Sequence, residues 1–247
     1  MKNNTIDYDH VSGIYDKVRT GDPEMVHQLM GGVALRSTSR VLDIGCGTGN
    51  NTLLFAKSTN TTVAGLDLSY GMLSQARTKA MALTFTHAPA DVLPFGDSVF
   101  DFVFMTEVVH HLPDVPTTIA EAFRVLRTPG AFCIVTQSHP QIAMRMTSRF
   151  FLGTISVDQA RYPSIPQLQN YLLEKGFSNV EPREYIFKPV RLGLDYLETV
   201  ERRGYSMLHK ISDEEYHRGL DDLQKTMRSR ECLDYAAGYT FVWAFKT

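Results

Sequence analysis

Val41-Leu42-Asp43-Ile44-Gly45-Cys46-Gly47-Thr48-Gly49 decides the fold. Residues 40–44 (RVLDI) form a short apolar run suited to a buried strand, and the run ends in a glycine cluster,. Glycines between a strand and a helix let the backbone turn tightly and approach a ligand with no Cβ in the way. Outward from this point the chain alternates. Residues 61–68 (TTVAGLDL) read as a second strand, and Ser69 suits the cap of a helix carrying Leu73, Ala76 and Ala80 on one face,. Residues 84–88 read as a third strand and 94–97 (PFGD) as a turn,. Residues 100–106 (FDFVFMT) are almost uninterrupted apolar, as a strand covered on both faces should be,. A helix with Ile119, Ala122, Phe123 and Leu126 in register leads to a turn at Pro129-Gly130 and a fifth strand, 131–136. This alternation predicts an α/β fold with a doubly wound, mostly parallel sheet.

The flanks complete that outline. Asp22-Pro23 starts a helix with Val26, Leu29, Met30 and Val33 at helical spacing,. Downstream, 165–175 reads as a helix ended by Gly176, 180–190 as a strand, and Ser212-Asp213-Glu214-Glu215 as a capping box before the stripe Tyr216, Leu220, Leu223, Met227,. Residues 239–245 (YTFVWAF) close the chain as a last strand, making seven,. The expectation is a single domain over 1–247, with 1–36 as covering helices, 40–137 as the core, and 140–160 and 191–230 as helical lid insertions.

Composition excludes several classes. The 247 residues are 43% hydrophobic and 21% charged, with a formal net charge of −2, which fits a soluble globular protein and disfavours nucleic acid as a partner,. Three scattered cysteines, Cys46, Cys133 and Cys232, offer neither a disulfide framework nor a metal-ligand spacing, so no metal is expected,. The first residues lack the apolar core of a secretory signal, and no run of about 18 apolar residues exists, so a cytoplasmic protein with no membrane partner is expected,.

Acidic residues sharpen the glycine loop. Asp43 lies in the strand before it, and Asp67 lies roughly 20 residues after Gly45, a good distance for accepting from a ribose diol,. The loop departs from the dinucleotide fingerprint, because Asn50 occupies the position of its third small residue,. Asp43 opposes a pyrophosphate and favours a cationic, amine-bearing ligand.

The segment 41–49 closely resembles motif I of class I S-adenosylmethionine-dependent methyltransferases. Asp67, Ala90-Asp91-Val92, residues 100–112 (FDFVFMTEVVHHL) and Leu126-Arg127-Thr128-Pro129-Gly130 agree in order with the family's later motifs. The resemblance covers roughly 7–137 and points to the small-molecule, quinone-biosynthesis-like branch. It implies S-adenosylmethionine as cofactor and a small organic acceptor. It places cofactor contacts at Asp43, Gly45, Cys46, Gly47, Asn50, Asp67, Leu68, Met72, Asp91, Val92 and Thr106, with Asp67 on the ribose and Asp91 on the adenine amine. Tyr15 and Arg19 resemble a cofactor-covering segment, where Tyr15 would lie over the sulfonium and Arg19 would pair with the methionine carboxylate; a surface helix is the alternative.

Methyl transfer from a sulfonium needs alignment, exclusion of water and sometimes a base. His110 and His111 follow the fourth strand. If 106–112 is a helical turn, the two point apart, and His111 shares a face with Glu107 four residues earlier. His111 is therefore the residue expected nearest the reaction; a structural role for the pair is the alternative. His139 is another candidate base. Arg145 and Arg149, spaced i, i+4, read as a solvated face or as a receiver for an acidic acceptor. A catalytically silent cofactor-binding protein of the same fold is the competing function. Removing Asp67 is expected to weaken cofactor binding by roughly 1.5–3 kcal/mol, and Asp67→Asn is expected to be milder, since one oxygen still accepts.

Overall fold

The computed structural model describes residues 21–229 and 233–247. They form two compact units. The first comprises 21–136, 165–183 and 240–247, and the second 137–164, 184–229 and 233–239.

The first unit carries the sheet. Its elements begin with α1 (Pro23–Gly31), whose N-cap Asp22 accepts from the amides of Glu24 and Met25 with Pro23 in the first turn,. Then come β1 (Arg40–Ile44), α2 (Asn50–Thr59), β2 (Thr62–Asp67), α3 (Tyr70–Lys79), β3 (Thr84–His87), β4 (Phe100–Thr106), α4 (Val115–Val125) and β5 (Leu126–Thr136). Ser69 caps α3 by accepting from the Met72 amide, as its position before the helix predicts. The second unit holds α5 (His139–Ala143), α6 (Met146–Phe150) and α7 (Gly153–Arg161). The chain continues with α8 (Ile165–Glu174), β6 (Ser178–Ile186), β7 (Val190–Arg191), α9 (Leu194–Glu201), α10 (Asp213–Arg228), β8 (Asp234–Tyr235) and β9 (Gly238–Lys246).

The seven-stranded sheet has the order β3-β2-β1-β4-β5-β9-β6. β1 pairs in parallel with β2 and β4, β2 with β3, and β4 with β5, while β9 runs antiparallel to β5. The chain winds outward from β1 to β3 and returns to β4 on the other side. The carboxyl ends of β1 and β4 therefore flank the switch point, where a doubly wound sheet opens its ligand crevice.

The aromatic strand β4 fills the centre of the sheet with packed rings. Phe102 and Phe104 are fully buried, with ring centroids 5.9 and 5.1 Å from Phe55 of α2, and Phe102 stacks on Trp243 at 5.6 Å,. On the other face, Val103, Met105, Ile119, Ala122, Leu168 and Leu172 share one apolar cluster.

Three expectations change. The strand expected at 131–136 begins at Leu126, because Leu126 pairs with Phe100 across a register irregularity and Pro129-Gly130 lies within the extended run. The strand expected over 180–190 ends at Ile186, and Val190–Arg191 pairs instead with β8. In the second unit, Arg145 is no solvated face. It is buried, donates to Gln137 Oε1 at 2.6 Å and to the Tyr162 hydroxyl at 3.0 Å, and shares the fully buried Asp158 with Arg161. A buried carboxylate has to be paired, and two guanidinium groups meet that need. Arg149 alone of the i, i+4 pair is exposed. Among the described residues, no helix is long and apolar enough to cross a membrane.

Candidate functional site

The glycine loop sits over the carboxyl end of β1. The amides of Gly45 and Cys46 both donate to the Leu66 carbonyl, at 2.7 and 2.9 Å, which folds the loop back onto β2. Gly45 has φ +72° and a Cβ there would fall 2.3 Å from Val108 Cγ2, so only glycine fits,. Gly47 has φ +54°, and among the described residues no atom lies within 4 Å of where its Cβ would be, which leaves the loop's outer side clear of them for close approach. Gly49, also left-handed, opens α2, whose amino end carries no side-chain cap,.

Two carboxylates lie beneath this loop. Asp67 Oδ2 accepts from the Gly47 amide and Oδ1 from the Ser69 amide, both at 2.8 Å, so one side chain ties the loop to the start of α3. Burial raises its pKa above the ordinary value, against the lowering effect of those amides,. Asp43 is 1% exposed. Its Oδ2 accepts from the Thr52 hydroxyl at 2.6 Å, and its Oδ1 is buried with no hydrogen-bond partner among the described residues. Burial pushes its carboxyl up to about 7, the Thr52 hydrogen bond opposes this, and the charge of Asp67 adds to it. A bare buried oxygen beside a second carboxylate is unfavourable by itself and marks a place where positive charge is wanted.

The other expected site residues fall as follows. Cys46 is largely enclosed, and burial together with Asp43 and Asp67 holds its thiol well above the usual range, so it stays protonated,. Asn50 accepts from Lys79 Nζ at 2.7 Å, linking the starts of the loop helix and the end of α3. Leu68 and Val92 are large apolar side chains left 68% and 66% exposed, and Asp91 is half-buried between Ala90 and Val92. Met72, by contrast, lies in the core, with its amide held by the Ser69 hydroxyl. Thr106 ends β4 half-buried. Tyr15 and Arg19 lie outside the described residues.

Expected geometry after β4 is corrected. Glu107 has φ +57°, which breaks any helix there, and only Val109–His111 form a single 3-10 turn. His111 is thus not placed on a helical face with Glu107. The rings of His110 and His111 also do not diverge; their centroids are 4.0 Å apart.

Two residues that sequence reasoning passed over belong to this site. Thr52 is described above. Asn51 accepts from the Asp22 amide at 2.9 Å and donates to Thr106 Oγ1 at 3.4 Å, spanning from α1 to the end of β4. The available signal for Thr52 was a polar residue three before Phe55, on the inward face of α2,.

Residues 42–134 match the profile of the Methyltransferase domain family. This stretch is a class I S-adenosylmethionine-dependent methyltransferase domain. It contains the glycine loop, both carboxylates, Asp91 and the histidine pair. The chain is similar to 27-O-demethylrifamycin SV methyltransferase of Amycolatopsis mediterranei, 34% identical over 44% of this chain and 43% of that relative's length. It is similar also to demethylmenaquinone methyltransferase of Staphylococcus aureus, 25% identical over 72% of this chain and 83% of the relative. In solved structures, the fold is matched by a protein of Anabaena variabilis named as a methyltransferase candidate from an antibiotic biosynthesis pathway. That match has a TM-score of 0.74 and 19% identity, and covers 92% of this chain and 99% of the other.

The site's residues fit the family's methyl donor. Gly47 leaves a clear approach, Asp67 keeps a further acceptor position on each oxygen, and Asp43 has an oxygen without a partner,.

Proposed function

We propose that this chain transfers a methyl group from S-adenosylmethionine to a small organic acceptor by in-line displacement. The observation that carries this reading is the pair of enclosed carboxylates, Asp43 and Asp67, set under a glycine loop with open space at Gly47. When bound, S-adenosylmethionine supplies an electrophilic methyl on a cationic sulfur. Asp67 accepts from the ribose hydroxyls with the lone pairs its backbone amides leave over. Asp91 accepts from the adenine amine, and the exposed Leu68 and Val92 cover the base. The negative charge of Asp43 and Asp67 favours the donor's ammonium and sulfonium groups. His111 is assigned as the group that takes a proton from the acceptor.

The test is binding followed by transfer. Calorimetry should show S-adenosylmethionine binding and neither nicotinamide dinucleotide competing with it, because Asn50 and Asp43 oppose a pyrophosphate-bearing ligand. Labelled S-adenosylmethionine incubated with small-molecule extracts should then label a product. Micromolar binding of a nicotinamide cofactor would sink the reading, and binding without any labelled product would leave a silent cofactor-binding protein.

The buried Asp43 gives this reading a pH signature. Its carboxyl is pushed up to about 7, so a cationic ligand that favours the ionised form releases a proton on binding below that pH,. Affinity should therefore fall as pH drops below about 7 and level off above it. In the free protein the sign is opposite. A carboxyl raised above its unfolded value of about 3.9 is protonated when folded and ionised when unfolded between the two values, so stability falls as pH rises from about 4 to about 7,. Asp43→Asn removes that loss, on the order of 4 kcal/mol, against about 1–3 kcal/mol for a buried amide donor without a partner. Thermal melts should show the variant gaining on the wild type as pH rises through this window, while its cofactor affinity is lower and flat with pH. A variant that keeps the wild-type pH dependence of binding would exclude Asp43 as its source.

A further inference from the structure

We propose that Thr52 is a positioning residue of the donor site: its hydroxyl closes on Asp43 Oδ2 and keeps the negative charge of that carboxylate beneath the glycine loop, where a cationic donor is held. This rests on the donor-site reading above and adds a residue to it.

Asp43 sits in the central strand β1, opposite Gly65 of β2 on one side and Phe104 of β4 on the other. Neither neighbour offers a side-chain hydrogen bond. The charged and titratable groups acting on Asp43 are Asp67, from the end of β2, and the protonated Cys46 of the loop, and Asp67 disfavours a second negative charge. From α2 comes Thr52, fully buried, with its hydroxyl 2.6 Å from Oδ2. Among the described residues this is the one hydrogen bond that the Asp43 side chain accepts. A carboxylate this deep, beside a like charge, neutralises unless a donor favours its ionised form. Thr52 is that donor. It also fixes which oxygen is satisfied, leaving Oδ1 as the one without a partner.

A merely structural Thr52 and a positioning Thr52 order the variants oppositely. Thr52→Val keeps the shape and loses the hydroxyl. Thr52→Ser keeps the hydroxyl and loses a methyl group. Carbon-13 NMR of the Asp43 carboxyl in the ligand-free protein reads the charge directly, without any cofactor. In Thr52→Val the Asp43 titration midpoint should move up by about one pH unit, and S-adenosylmethionine binding at pH 7 should weaken by about fivefold, because the ionised fraction at that pH falls from about a half to about a tenth,. Thr52→Ser should remain close to the wild type in both. Thr52→Ala supplies a second hydroxyl-free variant should the valine fail to fold. A wild type that binds S-adenosylmethionine, with Thr52→Val and Thr52→Ala titrating at the wild-type midpoint, would overturn the role of Thr52 alone. So would a serine variant impaired more than the valine. A wild type that binds no S-adenosylmethionine at any pH overturns the donor site and the role of Thr52 with it, whatever the titration shows.

Discussion

Asp67→Ala is expected to weaken S-adenosylmethionine binding by roughly 10²–10⁴-fold. Hydrogen bonds from two ribose hydroxyls to a charged acceptor contribute about 1.5–3 kcal/mol each, and every 1.4 kcal/mol is tenfold. That exceeds the loss expected from the sequence, because each ribose hydroxyl is counted separately; the same carboxylate also holds the Gly47 and Ser69 amides. Without it, the loop and the start of α3 lose the group that joins them, and the cofactor must order both on binding. The two amide contacts also narrow the gap expected between Asp67→Asn and Asp67→Ala. An asparagine has one accepting oxygen and one donating nitrogen. Either way it is turned, one of the two backbone N–H groups faces another donor. Asp67→Asn should therefore bind cofactor nearly as poorly as the alanine variant. Calorimetry on folded protein decides this. Unchanged affinity in Asp67→Ala would remove the residue from the site, and an asparagine variant close to the wild type would show that the two amide anchors contribute little.

Much of the fold was legible because its signals are local. β1 and β4 begin and end where the residues read, since a strand covered on both faces must be apolar throughout and the glycine loop stops the first of them,. Asp22, Ser69 and Ser212 each cap the helix they precede, because a short side-chain oxygen before a helix meets an orphan amide,. What was missed depends on partners far along the chain. Whether 126–130 is turn or strand is set by Phe100, roughly 26 residues away. Arg145 looked exposed because its spacing to Arg149 is helical, yet its buried partner Asp158 stands outside that repeat. Thr52 read as an ordinary helix residue until β1 brought a carboxylate against it. At Glu107 the failure was one of backbone. A helical pattern of side chains does not reveal a left-handed residue at its start,. The glycine loop was thus readable from its own stretch, and the hydrogen bonds that support it and its two carboxylates were not.

The second large effect concerns the histidines after β4. His111→Ala is expected to slow turnover by roughly 10²-fold or more, with cofactor affinity almost unchanged, if His111 is the base. The grounds for choosing it have changed. Glu107 cannot orient it from one helical turn below, because its own φ of +57° starts no helix. The remaining difference is exposure. His110 is half-buried and His111 is exposed on the 3-10 turn, so His111 is the one open to an acceptor. The contact between the rings makes the pair a unit: with centroids 4.0 Å apart, each ring forms part of the other's surroundings. Removing His110 therefore alters the surroundings of His111 as well as its own. His110→Ala should retain most of the maximal turnover, and His111→Ala should lower it. Turnover lost equally in both variants would make the pair, rather than His111, the functional group. Turnover retained in both, per folded molecule, would mean that the reaction proceeds by alignment of the acceptor and exclusion of water, with no histidine base at all.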